Sequence, residues 1–455
     1  MLRHKLTKIA INLFVLSTTS LLFGMNAQAS VTYTGGNSDH AIGLKIEGKS
    51  IEIKKDFYAE GGKGKNSYGV LQSFGSVWNE GTLIAIGGSN LSAHGYLYLG
   101  LGFSNSHRGT IYAQGGSGEE ASGFRLEGLS YATELKNEGV IEARGGSSNQ
   151  ASGLDQDSVS LLINDGSITA IGGKEYYACG YEQGALSTLI NSKYGKIKAI
   201  GGIHRVAHGF DQSGTMLNEG EIVATGFISI GSDEAVGAYG MFQGSDGILR
   251  NRGSISAIGG SATLDRTLLK MTKEPINAFG FYQCGTLINE GTLDVQGGNI
   301  DCSYGYYQNG VLINKGKINI KDGSQRGIYG FNSEPWSRLI NKGIINLVST
   351  LPLNALNALG SIVQTGAGGG STISGNLISF VDYDSTGIIA VAPFLSKNIS
   401  GGEVLITDAD LSKESQEVVK EAIYKAGVSR DVRISFGGVG NKTIAKKSFF
   451  SFLKN

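Results

Sequence analysis

Three acidic residues fall on one recurring position of the chain, and a fourth stands beside the first of them. Asp155, Glu182 and Asp211 each stand two residues after a glycine, in GLDQD, GYEQ and GFDQ, and Asp157 follows two residues behind Asp155. Carboxylates gathered in a stripe can hold a divalent cation or divide acid and base work on a glycosidic bond. With an arginine or lysine beside them in a groove, they would suit a polysaccharide lyase or hydrolase. The same pattern also suits an outward, solvated position repeated along a scaffold, and we favour that reading.

Other groups offer less chemistry. The six histidines show no zinc-protease spacing, and His204 and His208, four apart, flank a turn rather than share a helix face. Cys179, Cys284 and Cys302 form no C-x-x-C pair and are too few for a disulfide framework, so free thiols are expected. No P-loop, dinucleotide fingerprint, G-x-S-x-G or calcium-binding nonapeptide is present. We therefore expect no catalytic residue, no metal and no cofactor, and a protein that is not an enzyme. With 39 basic and 39 acidic residues the chain carries no electrostatic footprint for nucleic acid.

The elements that position these residues come from a repeat. A short motif, A-x-G-aromatic-x-Q, aligns glycines 43, 69, 95, 123, 153, 180, 209, 240, 280, 305 and 330. Each repeat adds an L-I-N-x-G phrase, as at 287–291 and 312–316, and a β-branched alternation ending in Gly-Gly, as in SITAIGG at 167–173. Pieces of four to seven alternating residues bounded by Gly or Asn-x-Gly are strands and turns. The corner from the glycine pair to the column glycine holds seven residues in nine repeats and lengthens only at 226→240 and 260→280. Three short strands per repeat, a constant corner and no intervening helix predict an all-β fold. It is a parallel β-helix of about eleven turns, taken as right-handed because crossovers prefer that hand. Asparagines 79, 137, 164, 191, 218, 251, 289, 314 and 341 should stack as one amide ladder. Glutamines 72, 156, 183, 212, 243, 283 and 308 should stack as a second. Aromatic residues after the column glycine (Tyr96, Phe124, Tyr181, Phe210, Phe281, Tyr306, Phe331) are expected as an internal stack, with an exposed sugar-stacking ladder as the alternative.

Outside the repeat, residues 1–29 read as a secretory signal peptide. Arg3, Lys5 and Lys8 precede an apolar run, and Ala27-Gln28-Ala29 offers the cleavage site. Residues 30–350 form the repeat domain, 351–375 a glycine-rich connector, and 376–455 a small α/β cap with one helix over 412–427. Two insertions that lengthen the otherwise constant corner, 227–239 and 261–279, are candidate binding loops, with Asp233, Glu234, Asp265, Arg266, Lys270 and Lys273 as contact residues.

The leader followed by reiterated L-I-N-x-G-x-I-x-A-x-G-G turns resembles the passenger region of Gram-negative autotransporters and related β-helical adhesins, over about residues 31–350. The resemblance implies a surface or released protein acting as adhesin or stalk, with a host or cell-surface glycan or protein as partner. The family's C-terminal outer-membrane barrel is not matched by the last 105 or so residues, which lack a series of ten-residue alternating strands. A separate outer-membrane translocator is therefore an expected partner, and a truncated or split autotransporter is the alternative. Export to the cell surface or medium is expected, with the periplasm as the other possible site.

Overall fold

In the computed structural model, residues 31–349 are described apart from short internal stretches, chiefly 129–132, 203–205, 228–236, 261–276 and 324–328. Isolated strands are described as far as residue 437. The chain is a parallel β-helix with three strands per turn, and it divides into two compact units at Glu182–Gln183.

In the first unit the three parts of the repeat become three parallel sheets. The β-branched alternations pair in register from Val31–Thr34 through Thr82–Ile86, Thr110–Gln114 and Val140–Arg144 to Ser167–Ile171. Their second and fourth residues fill the core: Leu83, Ile111, Ile141 and Ile168 stack, as do Ala85, Ala113, Ala143 and Ala170, all buried. A single alternating strand cannot bury that face alone, and in-register stacking does so at every turn.

The second unit repeats the plan. Its alternating strands run from Lys196–Ile200 to Ile344–Ser349, and the pairing continues past residue 350. Leu377–Asp382 pairs with Ile344–Ser349, then with Glu403–Thr407, which pairs with Arg433–Gly437. Leu356–Ala358 and Ser361–Val363, within the expected connector, also pair with the preceding turn. Of the expected helix, Glu417, Lys420, Glu421 and Tyr424 are described, all helical.

The constant corner has a steric cause. A Cβ on Gly123 would lie 2.4 Å from the Arg144 backbone nitrogen, and one on Gly240 would lie 2.5 Å from that of Ile258. The aromatic strand crosses the end of the alternating strand at a distance only glycine allows.

The asparagine ladder forms as expected. In the first unit Asn79 Nδ2 donates to Asn105 Oδ1, Asn105 to Asn137 and Asn137 to Asn164, each at 2.8 Å. In the second, Asn191 donates to Asn218 at 2.7 Å, followed by Asn251, Asn289 and Asn314 at 2.8 Å each. Asn105, in GFSNSHRG, is a member that the L-I-N pattern does not reveal.

The glutamines do not form a second ladder. They are in register, as in Gln243↔Gln283↔Gln308, but their amides turn to the backbone: Gln243 Nε2 donates to Thr286 O at 3.0 Å and Gln283 to Val311 O at 2.9 Å. Their oxygens accept from tyrosines of the next turn. Tyr96 donates to Gln72 at 2.7 Å, Tyr181 to Gln156 at 2.7 Å and Tyr306 to Gln283 at 3.1 Å. Glutamine is one methylene longer than asparagine, so its amide reaches past its neighbour into the core. Where the next turn carries no hydroxyl (Phe210, Met241 and Phe281), Oε1 of Gln183, Gln212 and Gln243 is buried with no donor. The aromatic column itself is internal: Tyr96, Phe124, Tyr181, Phe210, Phe281, Tyr306 and Phe331 are all buried.

Candidate functional site

With the residue after the column glycine turned inward, the residue two after it lies on the outer side, and the residue one before it is buried in most turns (His94, Ser122, Ser152, Cys179, His208, Phe279) and half-buried at Tyr239 and Tyr304. In each unit these two columns of the aromatic strands carry the most distinctive chemistry.

In the first unit the centre is Arg125. Its strand, Phe124–Glu127, pairs with Leu154–Asp157 so that Arg125 stands against Asp155 and Glu127 against Asp157. The guanidinium is 19% exposed and meets four carboxylates: Glu120 at 2.9 Å, Glu127 at 3.4 Å, Asp155 at 3.5 Å and Asp157 at 3.4 Å. Burial opposes the charge on Arg125, but the carboxylates outweigh it and raise its pKa. Burial pushes Asp155 up to about 6; Arg125 pulls it down, and Asp157, Glu120 and Glu127 push it further up. Ser122 Oγ lies 3.5 Å from Asp155, and the Ser122 N–H donates to His94 Nδ1 at 3.2 Å. His94 stacks on Tyr68, and burial, then Arg125, lowers its pKa to about 3, so it stays neutral. Asp157 Oδ1 accepts from the N–H of Ser158 at 2.7 Å, which steadies a residue with φ of 55°.

The four stripe carboxylates therefore do not act as one group. Asp155, 15% exposed rather than freely solvated, is held with Asp157 on Arg125 because the preceding turn places an arginine directly beneath it. Glu182 accepts from Ser152 Oγ at 2.6 Å. Asp211, in the other unit, lies 2.9 Å from His208 Nδ1. Among the described residues no group of three or more His, Cys, Asp or Glu is placed to hold a metal ion. The arrangement neutralises buried charge and leaves an excess of carboxylates around one cation.

In the second unit the same columns become aromatic. Tyr239, Phe279 and Tyr304 stack in one column with centroids 5.0 and 4.9 Å apart; Phe242, Tyr282 and Tyr307 stack in the other at 5.4 and 4.7 Å. The columns meet edge to face, with Tyr239–Phe242 at 5.6 Å, Phe279–Tyr282 at 5.1 Å and Tyr304–Tyr307 at 5.6 Å. His208 closes one end by stacking on Phe242 at 5.1 Å, and Asp211 holds it there. At the other end the Tyr307 hydroxyl donates to Glu334. Cys284 lies beside Tyr282 and accepts from Asn309 Nδ2 at 3.7 Å; burial raises its thiol pKa.

The six candidate loop residues, Asp233, Glu234, Asp265, Arg266, Lys270 and Lys273, lie outside the described residues. Sequence reasoning missed Arg125 and the stacked rings. The signals were there: an arginine one repeat before Asp155 in the same column, and aromatic residues on both sides of the glycine in YGMFQ, FGFYQ and YGYYQ.

Among known families, the model of the BigA third pectate lyase-like domain matches residues 127–373, more than half of the chain. No curated protein and no solved structure matches it.

Proposed function

The chain belongs to the family of the BigA third pectate lyase-like domain, and from that premise we propose that it is an exported, non-enzymatic β-helical protein of the cell surface or medium. It works as an adhesin on a host or cell-surface glycan or protein. One observation carries this reading: a constant scaffold presents changing outward chemistry. The same sheet carries an ion cluster around Arg125 in one unit and stacked aromatic rings in the other, while the core beneath keeps its plan. Binding proteins vary their faces in this way on rigid scaffolds. The division of the carboxylates weighs against lyase or hydrolase chemistry, which needs acid, base and any cation around one bond. Export follows from the leader, and passage through an outer membrane would use a separate translocator.

The test uses the purified chain in two assays. Binding to cultured host cells is read by flow cytometry, and cleavage of polygalacturonate and neutral polysaccharides is read as new unsaturated or reducing ends. We expect saturable cell binding and no product. Product that disappears with Asp155→Asn would replace the adhesin with an enzyme.

A further inference from the structure

Resting on the surface-binding reading, we infer that five half-buried rings of the second unit, Tyr239, Phe242, Tyr282, Tyr304 and Tyr307, held together by the buried Phe279 between them, form a binding platform for an uncharged oligosaccharide chain. Phe279 is itself buried at 5% exposure, but the other five rings are only half-buried, and Met241, Phe281 and Tyr306 of the same strands fill the core beneath them. Phe242, Tyr282 and Tyr307 alternate with those core residues, and the chain bends at the column glycine so that Tyr239, Phe279 and Tyr304 meet them, in register over three consecutive turns.

Their stacking sets what they can offer. Ring planes within a column are nearly parallel, at 5° to 15°, yet the centroids lie 4.7 to 5.4 Å apart. Aromatic faces in contact are only about 3.5–4 Å apart, so each ring is offset from the next; Phe279 is covered, and the other five rings remain partly uncovered. The two columns lean in opposing senses, as their near-perpendicular crossings of 82° to 88° require. The result is a ridged apolar surface with tyrosine hydroxyls along it.

Size and charge select the occupant. Three turns at ~4.8 Å and a column separation of three residues at ~3.3 Å bound a platform of roughly 10 by 10 Å. That is far below the ~800 Å² per partner of a stable protein interface. It matches two or three pyranose rings, whose C–H faces pack on aromatic faces and whose hydroxyls meet phenols. Asp211 at one end and Glu334 at the other disfavour an anionic chain.

The full chain is tested for retention on immobilised dextran, laminarin, mannan and galactan, with polygalacturonate and heparin as anionic controls. We expect retention on at least one neutral polysaccharide. Affinity should weaken about tenfold with Tyr282→Ala or Tyr307→Ala and stay unchanged with Tyr112→Ala, an exposed tyrosine on another sheet. Tyr282→Leu keeps apolar bulk without an aromatic face and should also lose affinity, which separates binding from folding; circular dichroism checks each variant. Failure to bind any neutral chain, binding confined to the anionic controls, or binding indifferent to Tyr282→Leu and Tyr307→Ala overturns the inference. Because the assay uses purified protein, a negative result leaves surface display standing, and a positive result does not depend on where the cell places the chain.

Discussion

Exchanging Phe281 and Tyr306 chemistry, one substitution at a time, tests how this β-helix satisfies its buried amides. Gln243 Oε1 is buried without a donor, and the residue that would serve it, on the next turn, is Phe281. One turn later the equivalent hydroxyl exists, and Tyr306 donates to Gln283 at 3.1 Å. Burial holds the Tyr306 pKa well above its ordinary value, so the hydroxyl keeps its proton and stays a donor. An unmet buried acceptor costs about 1–3 kcal/mol, and a typical hydrogen bond contributes about 1 kcal/mol net. Phe281→Tyr should therefore stabilise its turn by about 1 kcal/mol. Tyr306→Phe should destabilise by about 1–2 kcal/mol, because it orphans Gln283. Solenoids need not unfold as one two-state unit, so the readout is hydrogen exchange of backbone amides in 277–289 and 302–314, with urea midpoints at unchanged m alongside. The two variants must move protection in opposite directions. Tyr306→Phe without effect, together with a destabilising Phe281→Tyr, would refute the reasoning.

Further predictions concern the ion cluster and the ladder. The folded Asp155 pKa of about 6 lies above its ordinary value, so the group contributes stability below about pH 4 that is lost as pH rises through 6. The amount is on the order of 3 kcal/mol; Asp155→Asn should flatten a pH series of urea midpoints across that window. Arg125→Met leaves four carboxylates without their cation and should cost about 3 kcal/mol at pH 7, with part of the loss recovered at pH 5 in the same denaturation assay. Asn251→Ala removes the link between Asn218 and Asn289 and should cost about 2–3 kcal/mol, seen as lost exchange protection in the flanking turns.

Much of the fold was legible in the sequence because stacking forces repetition. The seven-residue corner, the L-I-N phrase and the alternations each read directly as strand or turn, and Asn251 and its neighbours fall where their spacing puts them. The glutamines misled because register alone does not say what an amide touches. Gln283 and Gln308 align, yet the extra methylene carries each amide to a backbone carbonyl and a tyrosine hydroxyl. The sites were less legible. Asp155 looked solvated until the turn below supplied Arg125, a long-range neighbour 30 positions earlier. The sugar-stacking idea was attached to the wrong column: Phe281 and Tyr306 point inward, and the partly exposed rings belong to the columns one residue before the glycine and two after it.

Protease shaving of intact producing cells, followed by immunoblotting for residues 31–349, tests the central claim most directly. The account predicts that the chain is cleaved while the outer membrane is intact, or is recovered whole from the medium. A chain protected until the outer membrane is opened, and then found in the periplasm, would contradict it.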